Sequence, residues 1–187
     1  MAIKNDKTTP HRFDVVGSFL RPENLKQARI QFEKGQIDSH ELKQVEDKAI
    51  TELIQKEKQA GLKVITDGEF RRATWHLDFM CAFEGIGHAP TNTGLSFHDE
   101  IAEIDDTFLV GKVELIKEHP FIEHFRFVQQ FEDETTVAKL TIPAPAQFIE
   151  QFIMPMNREQ TNKYYANDRT FLKILLLATV RLLSRYM

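Results

Sequence analysis

Lys63–Phe79 reads KVITDGEFRRATWHLDF. Its first four residues, KVIT, read as a short strand. That strand runs straight into Asp67, Gly68 and Glu69. In α/β folds the C-terminal ends of strands form the active face. Two carboxylates placed there can bind an ammonium group, take up a proton or meet a cation. Gly68 allows a sharp turn or the close approach of a ligand. Arg71 and Arg72 follow at once. A structural reading, in which Asp67 and Glu69 are the ion-pair partners of these arginines, therefore stands beside the functional one. Trp75 can stack on a planar ligand and His76 can move a proton. The plainer alternative is a Trp packed over the mouth of the fold beside a hydrogen-bonded His.

Upstream, Asp38–Ala60 is the clearest helix. Asp38 can cap it, and Glu41 stands in the reciprocal capping position. Leu42, Val45, Ala49 and Leu53 recur at steps of three or four, widened by Ile50 and Ile54. Gly61 supplies a left-handed stop, and Leu62 can fold back on the last turn. Before this helix, Phe13–Gly17 (FDVVG) is an apolar run ending at a glycine and reads as a buried strand. Ser18–Pro22 (SFLRP) is the loop after it, with Pro22 in the first turn of a helix that runs from Leu25 to Lys34 and ends at Gly35. The order strand, long helical crossover, strand lets the two strands lie parallel. At the end of the first strand, Val16, Gly17 and Ser18 can offer backbone N–H groups and a hydroxyl to a ligand carboxylate. Gly-Ser is also an ordinary turn.

Downstream, Glu84–Leu115 carries Gly85, Gly87, Pro90, Gly94 and Gly111 and reads as an excursion, with a hairpin including Phe108–Leu115. Pro120–Gln130 is helical, with Phe121, Phe125 and Val128 on one side. Thr136–Ile142 is a third strand, closed by Pro143, and Ala146–Phe152 is a short helix. Asp168–Met187 is a last helix, apolar all round between Ile174 and Ala178, and so expected to be covered on several sides. It is too short for a membrane span, and Lys173, Thr179 and Arg181 interrupt it. Residues 1–10 read as a disordered lead-in, and 11–187 as a single domain.

The chain has 187 residues, of which 42% are hydrophobic and 28% charged, as suits one soluble domain. Its net charge of −4 argues against nucleic-acid or anionic-membrane binding. No apolar stretch follows Lys4, Lys7, His11 and Arg12, so a secretory signal is not expected. The one cysteine, Cys81, makes no internal disulfide and fits a cytoplasmic setting. It lies among apolar residues and reads as a buried, inert thiol. The seven histidines, His11, His40, His76, His88, His98, His119 and His124, show no H-x-C or H-E-x-x-H spacing, so no metal ligands are expected in this chain. Phosphate-loop, dinucleotide and G-x-S-x-G patterns are missing.

Three segments taken in order resemble one family. Phe13–Pro22 (FDVVGSFLRP), Val64–Phe70 (VITDGEF) and Ala138–Pro145 (AKLTIPAP) look like successive strand-end motifs of the catalytic barrel of cobalamin-independent methionine synthase. They are closest in form to its short, single-barrel methionine synthase-like relatives. The resemblance runs from about His11 to Tyr165. It implies a partial TIM (β/α)8 barrel, the first three or four βα units with an excursion after the second strand. It also implies an S-methyltransferase that moves a methyl group from a folate or a methyl-corrinoid to the thiol of homocysteine. In that family zinc binds the thiol as thiolate and makes it a nucleophile. Val16, Gly17, Ser18 and Glu69 match the residues that hold the amino-acid part of the substrate, while Asp67, Arg71, Arg72, Trp75 and His76 are candidates for the surrounding pocket. The family's zinc ligands, a substrate-binding Asp and a proton-donating His come from later strands and have no counterpart here. The expectation is a truncated chain, inactive alone, with no catalytic or metal residue of its own. Two other readings stand: alkyl transfer to another thiol or from another donor, and a non-catalytic chain whose open barrel edge forms a homodimer or takes a complementing partner.

Overall fold

The computed structural model describes residues 15–89, 94–97, 100–103, 106–114, 118–153 and 155–184. They form a mixed α/β structure in two units. One comprises residues up to Ala73 together with Glu123–Thr141, and the other Thr74–Ile122 with Ile142 onward.

In the first unit, α1 (Glu23–Glu33) follows Pro22, which stands one position outside the helix rather than in its first turn. Gly35, at φ 65°, turns the chain into the next cap. α2 (Ser39–Gln59) opens with the expected capping box: Glu41 N–H donates to Asp38 Oδ1 (2.8 Å) and Asp38 N–H to Glu41 Oε2 (2.9 Å). Gly61 takes φ 82°, and the Leu62 N–H reaches back to the Glu57 carbonyl (3.0 Å). β1 (Val64–Ile65) then leads into the 66–72 turn. The buried stripe of α2, Ala49, Ile50, Leu53 and Ile54, packs with Leu25, Ile65, Phe70, Val128 and Ala138.

In the second unit, α3 (Leu77–Met80) is a single turn. β2 (Glu84–Ala89) pairs antiparallel with β5 (Asp106–Glu114), and β3 (Gly94–Phe97) with β4 (Glu100–Glu103), so the expected excursion holds two antiparallel ribbons. The unit boundary falls within α4 (Pro120–Gln129), whose Phe121 sits in an aromatic cluster with Phe79, Phe83 and Phe148 around His119. β6 (Val137–Ala138) belongs to the first unit and is the parallel partner of β1. α5 (Pro145–Ile153), α6 (Pro155–Tyr164) and α7 (Asp168–Leu183) complete the second unit.

Two expectations need correction. Val15–Gly17 is not a buried strand: Val16 is 82% exposed and the segment is irregular. Its backbone is tied by side chain and loop instead of a ladder, with Lys139 Nζ donating to the Val15 carbonyl and Phe19 N–H to the Gly68 carbonyl (3.1 Å). Residues 13 and 14 lie outside the described residues. The parallel partner of Val64–Ile65 is thus Val137–Ala138. Nor is α7 covered on several sides; one stripe of it is buried. It buries Phe171, Leu175, Ala178 and Leu182 and exposes Leu176, Leu177, Val180 and Leu183. No helix among the described residues is long and apolar enough to cross a membrane.

Candidate functional site

The end of β1 is built by Glu57, reaching from the last turns of α2. Its carboxylate accepts the Thr66 N–H at 3.0 Å and the Thr66 hydroxyl at 3.2 Å. That hydroxyl in turn accepts the Gly68 N–H (3.1 Å), and Asp67 Oδ1 accepts the Glu69 N–H (2.9 Å). Each side chain satisfies a donor that a longer ladder would have used. Gly68 and Glu69 then both take left-handed backbone, φ 62° and 58°. Glu69 is the one non-glycine with positive φ among the described residues. Such a conformation costs a glutamate about 1–2 kcal/mol, a cost that surrounding structure must outweigh.

Arginines supply that structure. Arg21 Nη2 donates to the carbonyls of Glu69 (3.1 Å) and Arg72 (2.6 Å). Arg72 Nη1 donates to Glu69 Oε1 (3.2 Å), and Arg72 Nη2 to the Thr141 carbonyl (2.6 Å). The Thr141 hydroxyl donates to the same Glu69 Oε1 at 2.9 Å. Glu69 is buried, and its Oε2 accepts no hydrogen bond from a described residue.

The two sequence readings of Asp67 and Glu69 are therefore separated. Arg71 pairs with α2, donating to Glu46 Oε2 (3.0 Å) and Asp47 Oδ1, and its guanidinium lies 5.1 Å from the Phe127 ring centroid. Arg72 pairs with Glu69. Asp67 has no salt bridge among the described residues; it is 3% exposed and its Oδ2 is buried without a hydrogen-bond partner. Burial pushes the Asp67 carboxyl above its usual range, against the pull of the Glu69 N–H and the nearby arginines. Burial likewise raises Glu57 and Glu46.

Gly17, at φ 88°, faces open space, and Ser18 and Val16 are solvent-accessible. The Phe19–Gly68 hydrogen bond brings the Gly17-Ser18 loop to the turn that carries Glu69. Trp75 and His76 fall in the other unit. Trp75 is 53% exposed with its ring 4.3 Å from that of His76, and His76 Nε2 lies 3.5 Å from Gln151 Nε2. Cys81, the residue that closes the single-turn helix α3, is half-buried rather than buried. Sequence reasoning gave Arg21 no role, and it placed Thr141 only within the strand-end motif Ala138–Pro145, without the bond to Glu69. The only signal for Arg21 was a cation placed between a strand-end Gly-Ser and the proline before a helix. Among the described residues no three of His, Cys, Asp and Glu converge to hold a metal ion. These residues do not fit a zinc site.

Residues 13–96 match the family model of the cobalamin-independent synthase catalytic domain. The uncharacterized protein YxjG of Bacillus subtilis (strain 168) is 37% identical over 139 residues, covering 74% of this chain and 36% of its own length. YxjH of the same strain is 34% identical over 142 residues, covering 76% and 37%. A crystal structure of a vitamin-B12-independent methionine synthase-like protein from Listeria monocytogenes aligns with a TM-score of 0.69 at 29% identity, over 92% of this chain and 47% of that one. The chain thus spans about a third of the length of the curated relatives it matches. The matched segment holds Val16, Gly17, Ser18, Asp67 and Glu69. Over residues 13–96, less than half of its length, this chain is thus similar to the cobalamin-independent synthase catalytic domain.

Proposed function

We propose that this chain carries the amino-acid-holding part of a (β/α)8 barrel that methylates the thiol of homocysteine. The observation that supports it most is the pairing of Glu69, buried with Oε2 unclaimed by described residues, with the Gly17-Ser18 loop stitched beside it. In this reading the N–H groups and hydroxyl of Gly17 and Ser18 take the ligand carboxylate, and Glu69 Oε2 takes its ammonium. The likeness in fold to the Listeria protein supports the partial barrel. Methyl transfer, the zinc ion that would activate the thiol and the folate or methyl-corrinoid donor are proposed for the whole domain. For the 187-residue chain we propose ligand binding without turnover.

Calorimetric titration of the chain with reduced L-homocysteine tests this. We expect weak binding, with Kd on the order of 1 mM, lost by about tenfold or more in Glu69→Gln. Equal affinity in the variant would remove Glu69 from the site. Methyl transfer by the chain supplied with zinc, homocysteine and either donor would overturn the binding-only reading.

A further inference from the structure

We propose that Arg21 and Thr141 are positioning residues, which fix Glu69 so that a single carboxylate oxygen, Oε2, is presented to the ammonium of an amino-acid ligand. This rests on Glu69 being the ammonium-binding group.

The turn around Glu69 is held by four bonds of its own: Gly68 N–H to the Thr66 hydroxyl, Glu69 N–H to Asp67 Oδ1, Phe70 N–H to the Asp67 carbonyl (3.2 Å) and Arg72 N–H to the Glu69 carbonyl (3.1 Å). A glutamate with φ 58° relaxes toward ordinary backbone unless something outside the turn resists. One Arg21 nitrogen bridges the carbonyls of Glu69 and Arg72 and supplies that resistance. Arg21 lies in the same loop as Ser18, three residues on. The element proposed to hold one end of the ligand therefore also locks the backbone that holds the other.

The side chain is fixed separately. Thr141 and Arg72 both donate to Oε1, and Arg72 also donates to the Thr141 carbonyl, closing a three-residue ring. A carboxylate bound twice through one oxygen has a set rotamer and one oxygen left to share. Charge-assisted bonds of this kind are strong and directional. The arrangement favours ligands that carry an ammonium group over deaminated analogues.

The test compares L-homocysteine with 4-mercaptobutanoate, its deaminated analogue, by calorimetry on the 187-residue chain. In Thr141→Val the amino acid should weaken by about tenfold while the analogue is unchanged. Thr141→Ser, which keeps the hydroxyl, should restore the preference. Arg21→Met should act in the same direction, with Arg21→Lys in between. Equal weakening of both ligands, or no weakening of the amino acid, would overturn the proposal. Should the wild-type chain bind neither ligand, the ammonium-binding reading fails by itself, and Glu69 can still be followed in ligand-free protein. Carbon–carbon couplings in protein carrying 13C-labelled Glu should report one Glu69 rotamer in the wild type and Thr141→Ser, and an average in Thr141→Val. An unaveraged rotamer in Thr141→Val would also overturn the proposal.

Discussion

Thr66 places both its backbone N–H and its hydroxyl on the buried carboxylate of Glu57, at 3.0 and 3.2 Å. The end of α2 thereby anchors the exit of β1. Removing the acceptor in Glu57→Ala leaves two buried donors and a cavity, and should cost about 2–4 kcal/mol. Glu57→Gln keeps the shape and one acceptor, and should cost about 1 kcal/mol. Urea denaturation of the three proteins checks the order; equal midpoints would show that the anchor carries no stability.

Gly68 and Gly61 both need positive φ, but only Gly68 is crowded. A Cβ there would lie 2.4 Å from Leu53 Cδ2, whereas at Gly61 it meets nothing within 4 Å. Gly61→Ala should cost about 1 kcal/mol from backbone alone. Gly68→Ala should cost about 2–4 kcal/mol, because overpacking adds to it. Combining it with Leu53→Ala should return part of the loss, a coupling that a double-mutant cycle measures.

Asp67 and Asp133 should tilt stability against pH in opposite directions. Burial raises the folded Asp67 carboxyl above its ordinary value of 3.8. The folded state then binds more protons, so this contribution is present at low pH and is lost as pH rises through that window. Asp133 is held well below 3.8, by Lys58 first and then by hydrogen bonds from the N–H and hydroxyl of Thr135 and the N–H of Thr136. Its contribution is present above the ordinary value and lost as pH falls. Urea midpoints measured from acid to neutral pH should show a shallower decline with rising pH in Asp67→Asn and a shallower acid decline in Asp133→Asn. Asp67→Asn should also be more stable at neutral pH by on the order of 1 kcal/mol.

Tyr165 should matter for the second unit through one atom. Its hydroxyl oxygen accepts the Val113 N–H of β5 at 2.7 Å, in a buried setting. Tyr165→Phe leaves that N–H unpaired and should cost about 1–3 kcal/mol. Amide exchange at Val113 should speed up with it; unchanged exchange would mean that the N–H has another acceptor.

Local chemistry was legible in the sequence, and what depended on distant partners was not. Asp38 and Glu41 announced their cap because both halves lie within one turn. Gly61 announced its stop for the same reason. Phe13–Gly17 has the composition of a strand, but for Val15–Gly17 the tie is a lysine from position 139. α6 escaped notice because Asn157–Lys163 is polar and shows no apolar period. At the candidate site, Glu69 and Gly68 stood out as a strand-end pair. The sorting of Arg71 to α2 and Arg72 to Glu69 could not be read, since adjacent arginines look alike until helix and turn set their directions.

The ring around Glu69 joins residues 72 positions apart in the chain. At roughly 5–20 residues per second, a ribosome needs several seconds to go from Glu69 to Thr141. During that interval α2 can already form, since its bonds are local, while the left-handed turn has been made without its hydroxyl partner. The ring is therefore completed late in synthesis, and a nascent chain halted before Thr141 carries Glu69 with its carboxylate held by Arg72 alone.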